Sequence, residues 1–228
     1  ELLRVESEKT SLAFSLFEDN PEFFVPKVID YSETKGEIVY ERIKDASVVG
    51  RFNSINSENV HVASQLGKFI AIVHSQYKLP DNMVTALPEE LDCNDSKRVF
   101  IHGDLTGDNA LYSHLDKKLY VIDWMMTRVH GGKATYGTAY FDIAWFLNFQ
   151  FFSLFNLGYL KREIEVEADA FINSYFDSID FPLSKDGFGR YLNKFIKYKI
   201  NYRKKQLPFK SYAMLWWSHQ RFLRYSSK

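Results

Sequence analysis

Apolar residues follow two different periods along the front of the chain. Helical spacing covers residues 2–18 and residues 58–77, and a proline-containing breaker follows each stretch. Residues 27–43 instead alternate in the manner of two short strands around a turn at residues 34–36. The pattern therefore predicts a helix, a strand pair and a second helix.

The rest of the chain begins with strands and becomes helical. Apolar runs at residues 98–103 and 118–124 predict two strands, which we expect to pair as a hairpin. From Phe141 onward helical patterns dominate, at residues 141–155, 160–178, 188–206 and 211–225. The fold class expected is α+β, with a small strand-containing lobe at residues 1–45 and a larger, mostly helical lobe at residues 46–228.

Composition excludes several classes of protein. Apolar residues make up 46% of the chain and charged residues 25%, which is typical of a folded globular protein. No run of 18 or more apolar residues occurs, so no membrane span is expected. A single cysteine, Cys93, rules out an internal disulfide and fits a reducing compartment, so we expect a cytoplasmic protein.

The net charge of zero conceals an uneven distribution. Residues 185–228 carry 12 Lys and Arg against one acidic residue, Asp186, and the rest of the chain carries the acidic excess. Such asymmetry can mark an anionic partner, although solvated helix faces produce it too. No nucleic-acid-binding motif accompanies the basic segment, so we do not expect nucleic acid as a partner.

One polar stretch between apolar runs, VFIHGDLTGDNALY at residues 99–112, has the composition of a phosphoryl-transfer site. This chemistry needs a carboxylate to orient and deprotonate the attacking hydroxyl, and oxygen ligands for Mg²⁺. Asp104 and Asn109 lie five positions apart in the stretch, and Asp123 ends a strand nineteen residues after Asp104. The predicted hairpin would bring the three side chains to one edge.

The sequence HGDLTGDNALY followed by VIDW resembles the aminoglycoside phosphotransferase/choline kinase family, which has a protein-kinase-like fold. Protein kinases typically carry Arg where Gly103 stands, and Phe-Gly where Trp124 follows the metal-binding Asp. These two differences point to the branch that phosphorylates small molecules.

The resemblance implies a role for each residue of the catalytic loop, the name used below for residues 102–109. Asp104 would be the catalytic base, and Asn109 and Asp123 would bind Mg²⁺. The segment YFDIAWFL resembles the family's segment in which an Asp supports this loop, here Asp142. His102 is expected to orient the loop by hydrogen bonds.

The nucleotide side is implied by residues nearer the start. ESEKTSLAFSLFEDNPEFFVPKVIDY resembles the family's αC helix and following strand, which makes Glu8 the partner of the ATP-binding Lys. Glu6 lies half a turn away, and either carboxylate could face inward. IVYERIKDA resembles the hinge, where the backbone of Tyr40 and Arg42, on either side of Glu41, would contact the adenine of ATP; GTP is equally compatible.

The family's first strands, its phosphate-covering loop and its strand-borne Lys should precede Glu8 by dozens of residues, and only seven residues do. We therefore expect this front to be absent from the chain. Two alternatives to a small-molecule kinase stay open: a catalytically silent pseudokinase acting as a binding module, and a protein or lipid kinase on the same fold.

The acceptor expected is the hydroxyl group of a small molecule. Trp216 and Trp217 resemble the Trp-rich helices of choline and ethanolamine kinases, which makes that substrate class one alternative. The basic segment at residues 185–228 fits a polycationic aminoglycoside poorly, and phosphorylated, carboxylated or lipid-head-group acceptors stay open. Neither the acceptor nor the oligomeric state follows from the sequence.

Overall fold

Six α-helices and eight short strands form the described part of the chain. The computed structural model describes residues 2–52, 57–94, 96–125, 133–152 and 163–226, without the side chains of residues 163, 214 and 217. The helices are α1 Leu2–Phe17, α2 Ser57–Gln76, α3 Phe141–Phe151, α4 Glu163–Ser178, α5 Lys185–Gln206 and α6 Phe209–Tyr225. The strands are β1 Phe23–Phe24, β2 Val28–Ser32, β3 Glu37–Tyr40, β4 Ser47–Val48, β5 Arg98–Phe100, β6 Ala110–Ser113, β7 Lys118–Val121 and β8 Tyr136–Thr138.

The predicted helices are confirmed, although α3 ends earlier and α5 and α6 begin earlier than predicted. Helix α5 begins at Lys185, three residues earlier than its apolar period indicates, because Ser184 caps it by accepting the N–H of Gly187 at 3.0 Å. The predicted helices at 141–155 and 160–178 correspond to α3 and α4, but residues 153–162 lie outside the described part of the chain.

The strand pairing agrees with the sequence at one place and corrects it at another. Strands β2 and β3 pair antiparallel around the predicted turn, where Gly36 has a φ of 70°. The expected hairpin of residues 98–103 with 118–124 is wrong: β7 pairs with β6, and β5 pairs with β8. The physical reason is proximity, because only residues 114–117 separate β6 from β7 and form a tight connection between them.

The sheets cross the proposed lobe boundary near residue 45. The larger sheet has the order β1-β7-β6-β4, in which β1 runs parallel to β7 and the other neighbours are antiparallel. Phe17 of α1 also stacks on Phe69 of α2, with ring centroids 4.5 Å apart. The front of the chain is thus packed into the body, and the division at residues 45 and 46 stays a prediction.

The helical body buries α2 against α4 and surrounds α3. A Cβ at Gly67 of α2 would lie 2.3 Å from the carbonyl oxygen of Phe171 in α4, so glycine permits this close approach. Helix α3 is buried along almost its whole length, which explains why its sequence is apolar all round. None of the helices in the described ranges is long and apolar enough to cross a membrane.

Candidate active site

Asp142, in the first turn of α3, is fully buried and anchors the catalytic loop. Its carboxylate accepts the N–H groups of His102 and Gly103 at 2.8 and 3.0 Å. On its other side Nε2 of His74 lies 3.1 Å away, and the same ring contacts the hydroxyl of Tyr175 through Nδ1 at 2.8 Å. Burial alone raises the pKa of Asp142, but the hydrogen bond from His74 and the neighbouring charges outweigh it, so the pKa is lowered. The loop is therefore held by an ionised carboxylate.

The hydrogen bonds of His102 define its tautomer. Nδ1 accepts the N–H of Asp104 at 3.2 Å, and Nε2 donates to the carbonyl oxygen of Ile122 at 3.1 Å. A backbone N–H can only donate and a carbonyl can only accept, so the ring is neutral with its proton on Nε2. Burial lowers the pKa of His102 to about 4 and outweighs the opposing charge of Asp142. The neutral imidazole therefore links the catalytic loop to Ile122, which directly follows the β6–β7 hairpin.

Two backbone positions beside the site are left-handed. Gly103 has a φ of 99°, which residues with a side chain rarely adopt. The backbone conformation therefore explains why glycine stands where protein kinases typically carry Arg. Asp123 has a φ of 58° directly after the β7 hairpin. Strain of this kind persists where the surrounding structure fixes a residue for function.

Asp104 is a half-buried carboxylate held from two sides. Nε1 of Trp145 in α3 donates to its Oδ1 at 2.7 Å. Nδ2 of Asn109 donates to the Asp104 carbonyl oxygen at 2.9 Å and, more weakly, to Oδ2 at 3.4 Å. Burial raises the pKa of Asp104 to about 6; the hydrogen bond from Trp145 opposes the rise, and the charge of Asp123 adds to it. A carboxyl with such a pKa can take a proton near neutrality.

The β6–β7 hairpin brings Asn109 next to Asp123. Ala110 faces Val121 in the pairing, and the N–H of Ile122 donates to the carbonyl oxygen of Asn109 at 2.9 Å. Asn109 uses its amide nitrogen toward Asp104, so its Oδ1 is the atom suited to a cation. Desolvation raises the pKa of the accessible Asp123 carboxyl, against the charge of Lys9. The hairpin thus presents two side-chain oxygen groups suited to a cation at the end of one strand pair.

Lys9 of α1 is a site residue that sequence reasoning missed. It is fully buried, and Nζ donates to the carbonyl oxygens of Ile101 and His102 at 3.1 and 2.8 Å. Burial lowers its pKa to about 8, while the charges of Asp142 and Asp123 act in the opposite direction. A lysine among polar positions of an amphipathic helix reads as solvated, so no sequence signal distinguished it. It ties α1 to the start of the catalytic loop.

A cavity of about 250 Å³ opens beside Asp123. Its apolar lining comes from three side chains, Pro26, Ile43 and Ile122. Its polar lining comes from Glu6, Thr10, Tyr40, Glu41 and Asp123. The cavity therefore joins the predicted hinge to the predicted metal ligand, with an apolar wall suited to a flat ring.

The predicted nucleotide-side residues are only partly brought to this cavity. Glu8 pairs with Arg4 at 2.8 Å on a solvent-accessible face of α1 and does not line the cavity. Glu6 lines it instead and accepts the hydroxyl of Tyr40 at 2.8 Å. Of the two carboxylates that the sequence offered, the fold directs Glu6 inward.

In the predicted hinge, the backbone groups of successive residues point alternately toward β2 and away from it, and the predicted adenine contact needs groups that point away. The N–H of Glu41 donates to the carbonyl oxygen of Lys27 at 2.8 Å, which fixes the edge of the strand that faces β2. Backbone groups of successive residues in an extended chain point to opposite edges. Those of Tyr40 are therefore directed away from β2. Arg42 is exposed just beyond the strand.

The residues present fit Mg²⁺ bound together with phosphates. Among the described residues, no group of three His, Cys, Asp or Glu side chains is arranged to hold a metal by itself. Mg²⁺ commonly takes one or two protein oxygens and completes its shell with substrate phosphates and water, and Asn109 and Asp123 match this pattern.

Of the two tryptophans on α6, Trp216 is 45% exposed, and the side chain of Trp217 lies outside the described part.

Comparisons with known proteins agree with this geometry. The model of the phosphotransferase enzyme family matches residues 45–171, more than half of the chain. Ten chains of solved structures match. One is a choline/ethanolamine kinase family protein from Mesorhizobium loti, 13% identical, with a TM-score of 0.54 over 97% of this chain and 79% of that one. Such low identity shows the fold alone.

A search of curated proteins finds no match. The family match covers the catalytic loop, the β6–β7 hairpin and Asp142, and the fold match extends over nearly the whole chain. The chain therefore belongs to the phosphotransferase enzyme family, the group of aminoglycoside phosphotransferases and choline kinases, and has the protein-kinase-like α+β fold.

Proposed function

We propose that the protein transfers the γ-phosphate of ATP, or of GTP, to a hydroxyl group of a small molecule with the help of Mg²⁺. The observation that carries this proposal is the environment of Asp104. Its carboxyl group accepts a hydrogen bond from Trp145 and has a pKa raised to about 6, its backbone carbonyl accepts one from Asn109, and the residue stands beside the hairpin that bears Asp123. Such a pKa leaves the group mostly ionised at neutral pH and still able to accept a proton.

In the proposed reaction Asp104 orients the acceptor hydroxyl and takes its proton. A bond forms between the acceptor oxygen and the γ-phosphorus, the bond from that phosphorus to the β-phosphate oxygen breaks, and ADP leaves. The tie from Asn109 to Asp104 keeps base and metal ligand in a fixed relation. Positioning supplies most of the rate, because phosphoryl transfer needs little covalent help from protein.

Asn109 and Asp123 would hold the metal, and the cavity at the hinge would hold the nucleotide base. The metal would supply positive charge that offsets the negative charge developing on the transferred phosphate. Tyr40, Glu41 and Arg42 would form the adenine edge, and Glu6, rather than Glu8, would be the acidic group of α1 on this side. The proposed use of ATP and the single cysteine of the sequence favour the cytoplasm as the place where the protein acts.

Turnover with matched variants tests the proposal. Release of ADP from Mg·ATP is measured with a panel of hydroxyl compounds, for the wild type, Asp104→Asn and Asp116→Asn. Asp116 is an exposed residue between β6 and β7, outside the catalytic loop, and serves as the control. We expect Asp104→Asn to lower the rate at least 100-fold and Asp116→Asn to leave it within about twofold. Equal rates for Asp104→Asn and wild type would exclude Asp104 as the base, and nucleotide binding without turnover would favour the pseudokinase alternative.

A further inference from the structure

Two basic residues on one face of α5 are drawn into the protein near the catalytic loop. Lys199 is 5% exposed, and Arg203, one turn later, is partly buried. Nη1 of Arg203 is enclosed and has no hydrogen-bond partner among the residues that the structure describes. Like charges at this helical spacing repel each other, and burial strengthens the repulsion.

Aromatic rings connect this pair to the catalytic carboxylate. Nζ of Lys199 lies 4.2 Å from the centroid of the Trp145 ring, whose Nε1 donates to Asp104. One indole ring therefore contacts both the Lys199 ammonium and the Asp104 carboxylate. The guanidinium of Arg203 lies 3.9 Å from the centroid of Phe152, just after α3. Both cations are thus placed beside α3 by cation–π contacts.

A third cation completes the cluster. The guanidinium of Arg51 lies 3.9 Å from the centroid of Phe149 and donates to the carbonyl oxygen of the same residue. Burial lowers the pKa of Arg203 to about 10, and the positive charge of Arg51 is the second cause of this shift. Burial lowers the pKa of Lys199 to about 7; the charge of Arg203 lowers it further and that of Asp104 opposes this. Lys199, Arg203 and Arg51 are called the basic cluster below.

The neighbouring carboxylates do not cancel the cost of this arrangement. The charge of Asp108 favours the charged form of Arg51, and that of Asp104 favours the charged form of Lys199, but burial outweighs both and the pKa of each cation is lowered. An oxyanion placed between the three cations would stabilise their charged forms further. Arginine suits carboxylate and phosphate groups because its guanidinium donates in a planar fork. Desolvated, mutually coupled charges of this kind concentrate at functional sites. The cluster lies on the α3 and α5 side of Asp104, whereas the hinge cavity involves α1 and β3.

We propose that the basic cluster binds a carboxylate or phosphate group of the acceptor and so directs the acceptor's hydroxyl to Asp104. This inference rests on the proposed function and narrows its substrate to anionic hydroxyl compounds. It disfavours choline and polycationic aminoglycosides, whose positive charge the cluster would repel. It also accounts for part of the basic excess of residues 185–228.

Calorimetric titration of inorganic phosphate into the protein, without nucleotide, tests the cluster directly. We expect binding that weakens about 10- to 100-fold in Arg203→Gln and in Lys199→Gln. Lys204→Gln removes an exposed charge from the same helix and should leave binding unchanged within about twofold. Equal weakening in all three variants would show that phosphate responds only to the net charge of the protein, which would overturn the site. The absence of phosphate binding to the wild type would also overturn it.

Thermal unfolding separates binding from folding in the same variants. Neutralising a desolvated charge among like charges relieves repulsion, so we expect Arg203→Gln and Lys199→Gln to melt at or above the wild-type temperature. A marked fall in melting temperature together with loss of binding would assign the cluster to structure instead.

Repeating the titration with saturating Mg·ATP distinguishes an acceptor group from a transferred phosphate. Phosphate binding that persists places the subsite on the acceptor side, and displacement by the nucleotide would overturn that assignment. Turnover then compares glycerate, glycerol and choline as anionic, neutral and cationic hydroxyl compounds. We expect a preference for glycerate over the other two that disappears in Arg203→Gln; a preference for choline would contradict the inference.

The two proposals fail in distinguishable ways. Phosphate binding that depends on Arg203, without any binding of Mg·ATP, would overturn the phosphotransferase proposal and leave the anion site standing. Binding and turnover of Mg·ATP without an effect of Arg203 would overturn the anion site and leave the phosphotransferase standing.

Discussion

Nε1 of Trp145 donates a hydrogen bond of 2.7 Å to Oδ1 of Asp104 and so fixes the orientation of the carboxylate proposed as the base. Trp145 lies one turn after Asp142 on α3, so one helix both anchors the catalytic loop and orients its acidic side chain. The hydrogen bond favours the ionised form of Asp104, against the larger effect of burial.

The first prediction concerns that hydrogen bond. Trp145→Phe keeps an aromatic ring but removes the donor, so the pKa of Asp104 should rise above its wild-type value of about 6. The acidic limb of the rate profile should move to higher pH with it, because the base works only when ionised. Carboxyl ¹³C NMR and the pH dependence of kcat/KM measure the two effects. Trp216→Phe, at an exposed tryptophan, is the control and should change neither; an unmoved pKa in Trp145→Phe would contradict the assignment.

The second prediction is a stability gain from removing the proposed base. Because the folded-state pKa of Asp104 is raised from 3.8 to about 6, its ionisation destabilises the fold as the pH rises through that interval. Asp104→Asn should therefore raise the free energy of unfolding by about 1–2 kcal/mol at pH 7.5, with the gain vanishing below pH ~4. Urea denaturation at both pH values measures it, with the exposed Asp116→Asn as the reference. A gain of equal size at both pH values would contradict the electrostatic cause.

The third prediction concerns the backbone at Gly103. Its φ of 99° is strained for any residue with a Cβ, so Gly103→Ala should destabilise the protein by about 1–2 kcal/mol and lower turnover. Gly189 lies inside α5, and a Cβ there would meet its nearest described neighbour at an ordinary 3.7 Å. Gly189→Ala should therefore stabilise by about 0.5–1 kcal/mol. Chemical denaturation compares the pair, and a neutral Gly103→Ala would show that the loop does not need this conformation.

The fourth prediction concerns the anchor of the loop. Asp142→Asn leaves one oxygen for the two N–H groups of His102 and Gly103, so a buried donor loses its partner. We expect a cost of about 1–3 kcal/mol in the free energy of unfolding and a large loss of turnover. Asp186→Asn, in the first turn of α5, tests the same substitution away from the loop. Denaturation curves that coincide for Asp142→Asn and wild type would remove Asp142 from this role.

The sequence predicted most elements whose signals are local. The turn before β3 required a residue with positive φ and has Gly36, and the helix periods placed α1 and α2 within a residue or so of their ends. The catalytic loop and its acidic residues were visible because their spacing is short. The strand partners were missed because no strand was predicted at residues 110–113, so β7 was paired with β5 instead of with β6, its neighbour in the sequence.

Residues that act across large sequence separations escaped prediction. Lys9 reaches the loop about ninety residues away, and charged positions on a helix normally indicate solvent. The choice between Glu6 and Glu8 depends on the rotation of α1 about its axis, which packing sets. Trp145 was one of several aromatic residues in a mostly apolar helix, so its donor role had no sequence signal.

Calorimetric titration of Mg·ATP tests the central claim most directly, that Asn109 and Asp123 form a metal–nucleotide site beside Asp104. The titration compares the wild type with and without Mg²⁺, Asp123→Asn, and Asp116→Asn as a distant control on the same hairpin. We predict Mg²⁺-dependent binding that Asp123→Asn abolishes and Asp116→Asn preserves. Binding of equal strength in Asp123→Asn and wild type, or no dependence on Mg²⁺, would contradict the account.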